Sequence, residues 1–530
     1  MKFPIGIQSF EDIITDGYVY VDKTAYVYSL THEGKIYFLS RPRRFGKSLL
    51  VSTLKNYFLG RKELFKGLAI DKLETEWKQY PVFLFDFNGT DYTESNALAN
   101  NVTGYIEKLE KQYSVEPNPL YSVGERFADV LAAAHRQAGM RCIVLVDECD
   151  KPLLDVMDSS KMVEFDGERI SIEERNRNVL KALYSTFKKA DDDLQFVFLT
   201  GVTKFAQISI FSGFNQPEDI SMSEQYDAIC GITEEELEHY FHKCVEALAV
   251  KKKVTAEKMR NILRKQYDGY HFSEALNGVY NPFSMLHVFK QQAIRDYWAS
   301  SGTPSYLVRL LKHFNEGIDE FTSKYYDRAQ FIDYRADKEM PLPMIFQSGY
   351  LTIKSYDERK DKYLLDFPND EVRRGFVTML ANDYFKSREE VGSLTDDLVE
   401  ALDYADLEKF RVSLTSFLAS IPYTSRRSSG EHEMERYFHY TFHLILRIVS
   451  TYVVYTEKCQ SKGRVDCVIE TPKFIYIFEF KLDGTADEAL KQIESQGYAR
   501  EYAADPRKLF KIGCSFSSET GTVGDFAIDN

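Results

Sequence analysis

Four apolar runs stand out along the first 230 residues: KIYFLS (35–40), YPVFLFDF (80–87), RCIVLVD (141–147) and LQFVFLTG (194–201). Each is too short for a helix and hydrophobic at successive positions, the pattern of a strand buried on both faces. The segments between them carry helical spacing instead. In SLLVSTLKNYF, Leu50, Leu54, Tyr57 and Phe58 form one stripe. Strand and helix alternating in this way predict a parallel sheet covered by helices. From Gly231 the pattern changes. GITEEELEHYF opens a helix with Thr233 and Glu236 spaced as a capping box, and mostly helical sequence continues to about residue 420. Within it, YLTIKSYDERKDKYLLDF (350–367) reads as two strands about a charged turn, the form of a wing on a winged helix. The polar stretch TSRRSSGEHE (424–433) reads as a loop near a boundary. An amphipathic helix (434–450), three β-like runs (451–457, 464–470, 474–481) and a further helix (485–502) follow it. The expected architecture is α/β throughout. A strand–helix domain spans 1–230, a helical lid or winged-helix region 231–420, and a small α/β domain 430–530.

Composition narrows this picture only slightly. At 530 residues the chain exceeds what one core supports. With 67 Lys and Arg against 81 Asp and Glu, the net charge is −14. That balance opposes coating of nucleic acid by the whole surface, yet it leaves room for a local basic groove. Seven scattered cysteines without a C-x-x-C pair fit a reducing compartment. Ten histidines without H-E-x-x-H spacing argue against a zinc site. The start of the chain lacks a signal-peptide pattern, and no run approaches 18 apolar residues, so a cytoplasmic protein without a membrane partner is expected.

Chemistry enters at RPRRFGKS (41–48), between the first strand and the first striped helix. This is the place of a phosphate-binding loop, where backbone N–H groups of Arg44, Phe45 and Gly46 and a helix N-terminus would cradle phosphate. Lys47 would reach the β- and γ-phosphates and Ser48 would ligate Mg²⁺. Arg41 stands where the usual pattern has glycine, so the first turn must form another way. Asp147 and Glu148 directly follow the third run, placing Asp147 as an outer partner of the Mg²⁺ and Glu148 on the attacking water. The fourth run ends in Thr200 and Thr203, where a hydroxyl would meet the γ-phosphate. Strand–GKS–helix, strand–DE and strand–Thr in that order point to binding of ATP or GTP. Arg43 and Arg44 suit a phosphate or subunit contact and a solvated loop equally well.

A second acidic constellation lies near the C-terminus. In RVDCVIE (464–470), Asp466 faces away from Val465, Cys467 and Ile469. In FIYIFEFKL (474–482), Glu479 and Lys481 are two apart and leave the strand on one face. That second run is apolar on both faces, which predicts a central strand rather than a solvated edge with an ion pair. Two buried carboxylates and a lysine need compensation, and a divalent metal supplies it. Asp466 and Glu479 form a hard-oxygen half-shell for Mg²⁺, with Mn²⁺ as an alternative, and Lys481 would orient a nucleophile in phosphodiester cleavage.

The motifs YVDKT (20–24), SRPRRFGKSLL (40–50), VDECDKPLL (146–154), TGVTKF (200–205), FSGFN (211–215), YDGYHF (267–272), VYNPFS (279–284), QSGYLTI (347–353) and PNDEV (368–372) resemble the signatures of the AAA-ATPase-like family. Members of that family are prokaryotic proteins that often end in a PD-(D/E)XK domain. The segment 463–498, GRVD through IESQGY, resembles the PD-(D/E)XK nuclease superfamily. The resemblance implies that RPRRFGKS is the family's own phosphate loop; Cys149 departs from it, standing where a tyrosine is expected. It further implies that Glu435, on the preceding helix, is an outer acid of the metal site, with Glu431 and Glu433 close enough to compete. Gln492 matches an extra polar position near the phosphate. The expected protein is thus an ATP-binding and -hydrolysing chain coupled to Mg²⁺-dependent cleavage of nucleic acid, DNA foremost. A homo-oligomer is open by analogy with other P-loop machines. The alternative is a nucleotide-driven switch or scaffold that holds nucleic acid or a protein without cutting it.

Overall fold

The computed structural model describes the chain apart from residues 158, 166, 205–216, 302–306, 308–320, 333–340, 386–389, 421–452, 461–462 and 530. The chain divides into two compact units, Met1–Arg373 and Arg374–Asn530.

In the first unit the four apolar runs become β1 (Ile36–Ser40), β2 (Val82–Asp86), β3 (Cys142–Asp147) and β6 (Leu194–Gly201). Between β3 and β6 lies a small hairpin of β4 (Met162–Phe165) and β5 (Glu168–Ser171). A two-residue strand, β7 (Glu218–Asp219), completes the main sheet in the order β2-β3-β6-β1-β7, every pair parallel. All six residues of β3 are buried, which explains its unbroken hydrophobic run. Helices at Lys47–Phe58, Ala97–Tyr113, Val123–Ala138 and Ile172–Lys189 join or cover the strands. Because β3, β6 and β1 are neighbours, the loops leaving their C-terminal ends open side by side, where open α/β sheets bind ligands.

The helical region that follows packs within the same unit as far as Arg373; the helices Glu390–Tyr404 and Leu407–Ser420 belong to the second unit. The Thr233–Glu236 capping box forms as spelled in the sequence and starts the helix Glu234–Lys252. Leu237, Phe241, Val245 and Leu248 from it meet Met259, Leu263, Val288 and Phe289 in one apolar cluster. Each such buried side chain contributes roughly 1.5–3 kcal/mol. The expected two strands about a charged turn are β9 (Thr352–Asp357) and β10 (Lys362–Asp366), joined by a third, β8 (Lys324–Tyr326), in the order β8-β10-β9.

The second unit is built on a five-stranded sheet, β11 (Val453–Gln460), β12 (Gly463–Glu470), β13 (Phe474–Leu482), β14 (Lys508–Phe516) and β15 (Val523–Asp529), in sequential order. Only β13 and β14 run parallel, joined by the crossover helix Ala486–Gln496. β13 is therefore the middle strand, as its two apolar faces predicted. Gly513 in β14 lies under that helix; a Cβ there would stand 2.0 Å from the Ala486 carbonyl oxygen, so only glycine lets the two elements meet. The last two strands go beyond the three β-runs and two helices read from the sequence, of which the first helix (434–450) lies outside the described residues. No described helix is long and apolar enough to cross a membrane.

Candidate active sites of the two units

The phosphate loop connects β1 to the helix Lys47–Phe58, whose N-cap is Gly46 at φ +95°, a conformation that side chains resist. Arg44 also lies in the left-handed region, at φ 69°. The role of Arg41 is resolved by geometry. Its side chain is 1% exposed and stacks over Phe272 with the guanidinium carbon 4.0 Å from the ring centre. It donates to the carbonyls of Ser40 (3.0 Å), Ser221 (2.8 Å) and Tyr226 (3.0 Å). A buried guanidinium, with five donors in a rigid fork, shapes the first turn that glycine shapes elsewhere. Phe45 turns its ring inward against Tyr270 at 4.7 Å, leaving its backbone N–H as its means of meeting phosphate. Arg44 is exposed, its guanidinium carbon 5.1 Å from the Phe283 ring centre. Lys47 is buried and gives its ammonium to the carbonyls of Arg41 (2.9 Å) and Pro42 (3.2 Å). Ser48 follows it in the first helical turn.

The register Leu39–Thr200 and Val146–Leu199 brings the ends of β1, β6 and β3 together. There the Thr200 hydroxyl donates to Asp147 Oδ1 at 2.6 Å. Glu148 follows at φ 52°, and its amide lies 3.4 Å from the same hydroxyl. Burial pushes the Glu148 carboxyl above the ordinary range, while Lys47 draws it back down. Thr203, the other hydroxyl read from the sequence, serves a different acid. With the Val202 and Thr203 amides it binds Asp150 Oδ2, at 2.7–3.0 Å. Asp150 is buried beside this cluster, and sequence reasoning passed over it. Its signal was present, since VDECD places a third acid on the same turn.

The remaining signature motifs gather about this loop. Asp22 of YVDKT holds the Thr24 amide and hydroxyl (2.9 and 2.6 Å) and the Ala69 amide (2.7 Å). Lys23 reaches both oxygens of Glu236 at 2.6 and 2.7 Å. Tyr20, Val21 and Lys23 also line an apolar cleft beside Gly46, with Leu49, Ile232 and Phe241 on its other walls. Gln347 of QSGYLTI accepts from the Lys204 amide at 2.6 Å. Glu371 of PNDEV is 1% exposed and accepts from the Ser284 hydroxyl (2.8 Å) and the Trp298 amide (2.7 Å). Burial pushes its carboxyl up to about 7. The FSGFN motif lies outside the described residues.

In the second unit, the pairing of Cys467 with Phe478 sets Asp466 opposite Glu479 at the next position of the β12–β13 ladder. Asp466 Oδ2 accepts the Phe480 amide at 2.8 Å. Glu479 is 1% exposed. Lys481 Nζ donates to Gln492 Oε1 at 2.6 Å, and Gln492 Nε2 donates to Glu479 Oε1. The amide orientation follows from chemistry: an ammonium has no acceptor, so the amide oxygen must face Lys481. Gln492 thus ties the acid to the base. Asp466, Glu479, Lys481 and Gln492 converge; Glu435, with Glu431 and Glu433, lies outside the described residues.

Glu479 Oε2 is buried with no hydrogen-bond partner among the described residues. Burial, then the nearby Asp466 charge, pushes its carboxyl up to about 8, with the Lys481 charge and a main-chain N–H of Asp466 opposing. An orphaned carboxylate oxygen facing a second acid fits a divalent cation, which would take up both charges. The described residues contain no group of three or more His, Cys, Asp or Glu able to hold a metal. Among the described residues the donor set is the two carboxylates of Asp466 and Glu479, which suits an ion that keeps several waters.

Two family models match the chain, one within each unit. The family described as Predicted AAA-ATPase matches residues 4–211, and the PD-(D/E)XK nuclease superfamily matches residues 433–526. An uncharacterized protein in the vnfD 5′ region of Azotobacter chroococcum mcd 1 is 32% identical over 537 residues, covering 100% of this chain and 99% of its own. Among solved structures, the Aeropyrum pernix ORC1 protein in complex with DNA aligns at 11% identity and a TM-score of 0.22. That alignment covers 67% of this chain and 90% of the other. The chain belongs to the family of predicted AAA-ATPases that carry a C-terminal domain of the PD-(D/E)XK nuclease superfamily.

Proposed function

We propose that the first unit binds and hydrolyses ATP and that the second cleaves phosphodiester bonds of nucleic acid, DNA foremost, with Mg²⁺. The observation that carries the cleavage is the orphaned Glu479 oxygen on the central strand, opposite Asp466 and tied through Gln492 to Lys481. A divalent cation held by Asp466 and Glu479 would acidify a water and offset charge on the scissile phosphate. The chain's own residues do the rest. The Phe480 amide fixes Asp466, and Gln492 fixes both the Glu479 carboxylate and the Lys481 ammonium. Lys481 keeps two further N–H groups with which to orient the attacking water or meet a phosphate oxygen.

In the first unit, Lys47 would leave the Arg41 and Pro42 carbonyls for the β- and γ-phosphates. Ser48 and Asp147 would hold the nucleotide's Mg²⁺, Thr200 would hold Asp147, and Glu148 would take the proton of the attacking water. The apolar cleft beside Gly46 gives the base a dry seat. Cysteines without a disulfide at the described positions fit a reducing, cytoplasmic setting.

The test is a Mg²⁺ and Mn²⁺ titration with plasmid, linear and single-stranded DNA and with RNA, alongside ATP turnover. Asp466→Ala and Lys481→Ala are expected to lose cleavage and keep ATP turnover. Lys47→Ala is expected to lose nucleotide binding, and Glu148→Gln to bind without turning over. Cleavage that survives both second-unit changes would remove this reading, and a wild-type chain that binds nucleic acid and never cuts would favour the scaffold.

A further inference from the structure

The Trp298 side chain makes a contact that no motif explains. Its indole N–H donates to the carbonyl of Arg43, inside the phosphate loop, at 3.0 Å. The indole itself is buried and packs on Tyr350 at 5.1 Å. Trp298 is held from behind, because its backbone amide donates to Glu371 at 2.7 Å. The other oxygen of Glu371 is taken by Ser284, in the first turn of the helix Pro282–Gln291. Glu371 in turn lies in the first turn of the helix Asp370–Phe385, which runs through the division at Arg373/Arg374. A loop carbonyl, an indole, a main-chain amide and a carboxylate thus form one chain of hydrogen bonds, from the phosphate loop to the helix that leads out of the unit.

The neighbouring carbonyls make the link consequential. Those of Arg41 and Pro42 are held by Lys47, the side chain that must swing to phosphate, whereas that of Arg43 is held by Trp298. When Lys47 departs, Trp298 still tethers the carbonyl at the middle of the loop. A buried N–H is costly to leave without an acceptor, so the indole follows the carbonyl if the loop shifts. We propose that Trp298, held by Glu371, is a positioning residue for the phosphate loop and carries the loop's nucleotide-dependent movement to the start of the helix Asp370–Phe385. The inference rests on nucleotide binding at this loop.

The chain has two tryptophans. The other, Trp77, packs with Tyr57 and Phe65, next to the far end of the Lys47–Phe58 helix. Trp77→Phe therefore leaves Trp298 as the lone tryptophan, excited selectively at the red edge where tyrosine does not absorb, in an otherwise unaltered site. ADP and a non-hydrolysable ATP analogue, each with Mg²⁺, are titrated against this variant. Emission is followed, and bound nucleotide is measured independently by equilibrium dialysis. The expected result is a saturable change of emission with the midpoint found by dialysis. Trp298→Phe keeps a ring on Tyr350 and removes the donor. It is expected to raise the KM for ATP about tenfold, the worth of one buried hydrogen bond, with a smaller effect on kcat. It should also abolish the nucleotide-dependent change in hydrogen exchange of amides 372–376. Glu371→Gln, which keeps an acceptor for the Trp298 amide, should behave as wild type, and Glu371→Ala as Trp298→Phe. Nucleotide bound by dialysis with silent emission and an unchanged KM in Trp298→Phe overturns the inference alone. No nucleotide bound by the wild-type chain overturns the ATPase reading and this inference with it.

Discussion

Asp147 and Asp150 at the end of β3 and Glu479 on β13 are all withdrawn from water, yet they are supported in opposite ways. Asp147 receives the Thr200 hydroxyl, and Asp150 receives two amides and a hydroxyl on one oxygen. Glu479 receives the Gln492 amide on one oxygen, while its other oxygen has no hydrogen-bond partner among the described residues; the Asp466 charge raises it further and the Asp466 main chain only partly offsets this. The first cluster is organised by the protein's own donors. The second is left with an uncompensated carboxylate, which a cation would offset under the proposed function.

The largest test of this contrast is Glu479→Gln. The amide retains the shape and removes the uncompensated charge. Cleavage should fall by at least about 10³-fold, the scale of the several kcal/mol that a bound metal supplies. The metal-free variant should nonetheless unfold at a higher temperature than wild type above pH 8. A lower one would mean that Glu479 has a partner which compensates it.

A smaller effect separates the two sites by pH. Glu479 titrates near 8 in the fold and near the ordinary carboxylate value unfolded, so the folded state holds its proton longer. That contribution is complete below the unfolded pKa and is lost as pH rises through 8. Mg²⁺ or Mn²⁺ competes with the proton. Without nucleotide, it should raise the melting temperature of the second unit by several degrees at pH 8.5, at about 2–4 °C per kcal/mol, and hardly at pH 6. Equal shifts at both values, or a shift that persists in Glu479→Gln, would place the ion elsewhere.

The smallest effect belongs to the self-sufficient cluster. Thr200→Val removes the hydroxyl donor of Asp147 and should cost about 1–3 kcal/mol in urea unfolding of the full chain. A change below 0.5 kcal/mol, within the scatter of ordinary surface substitutions, would show that Asp147 is held by something else.

What could be read from the sequence follows from how local the causes are. The strands β1, β2, β3 and β6 were legible because parallel strands covered on both faces have no polar side to show. The Thr233–Glu236 cap lies within four residues, and the Glu479–Lys481 spacing within three. β14 and β15 were not foreseen. KLFKIGCSF interrupts its apolar run with two lysines and a glycine, and Gly513 is there because a helix lies on it rather than because a strand wants it. β15 sits at the sheet edge with much of its length accessible, so it lacks the hydrophobic signature of its neighbours. Lys481 and Gln492 could each be named from sequence. That one amide bridges the acid and the base depends on the crossover helix and had no local sign. Trp298 was silent for the same reason, since its acceptor lies 255 positions earlier in the chain.

Arg41 carries a consequence for how the molecule is made. The residues that clasp its guanidinium lie 180 and 185 positions further on. A nascent chain that has emerged only through the first two strands already spells GKS, yet it has nothing to bend the loop around. Competence to grip a triphosphate would then arise late in synthesis, when the segment near Ser221 and Tyr226 docks. A truncation ending before that segment would keep the motif and lose the grip.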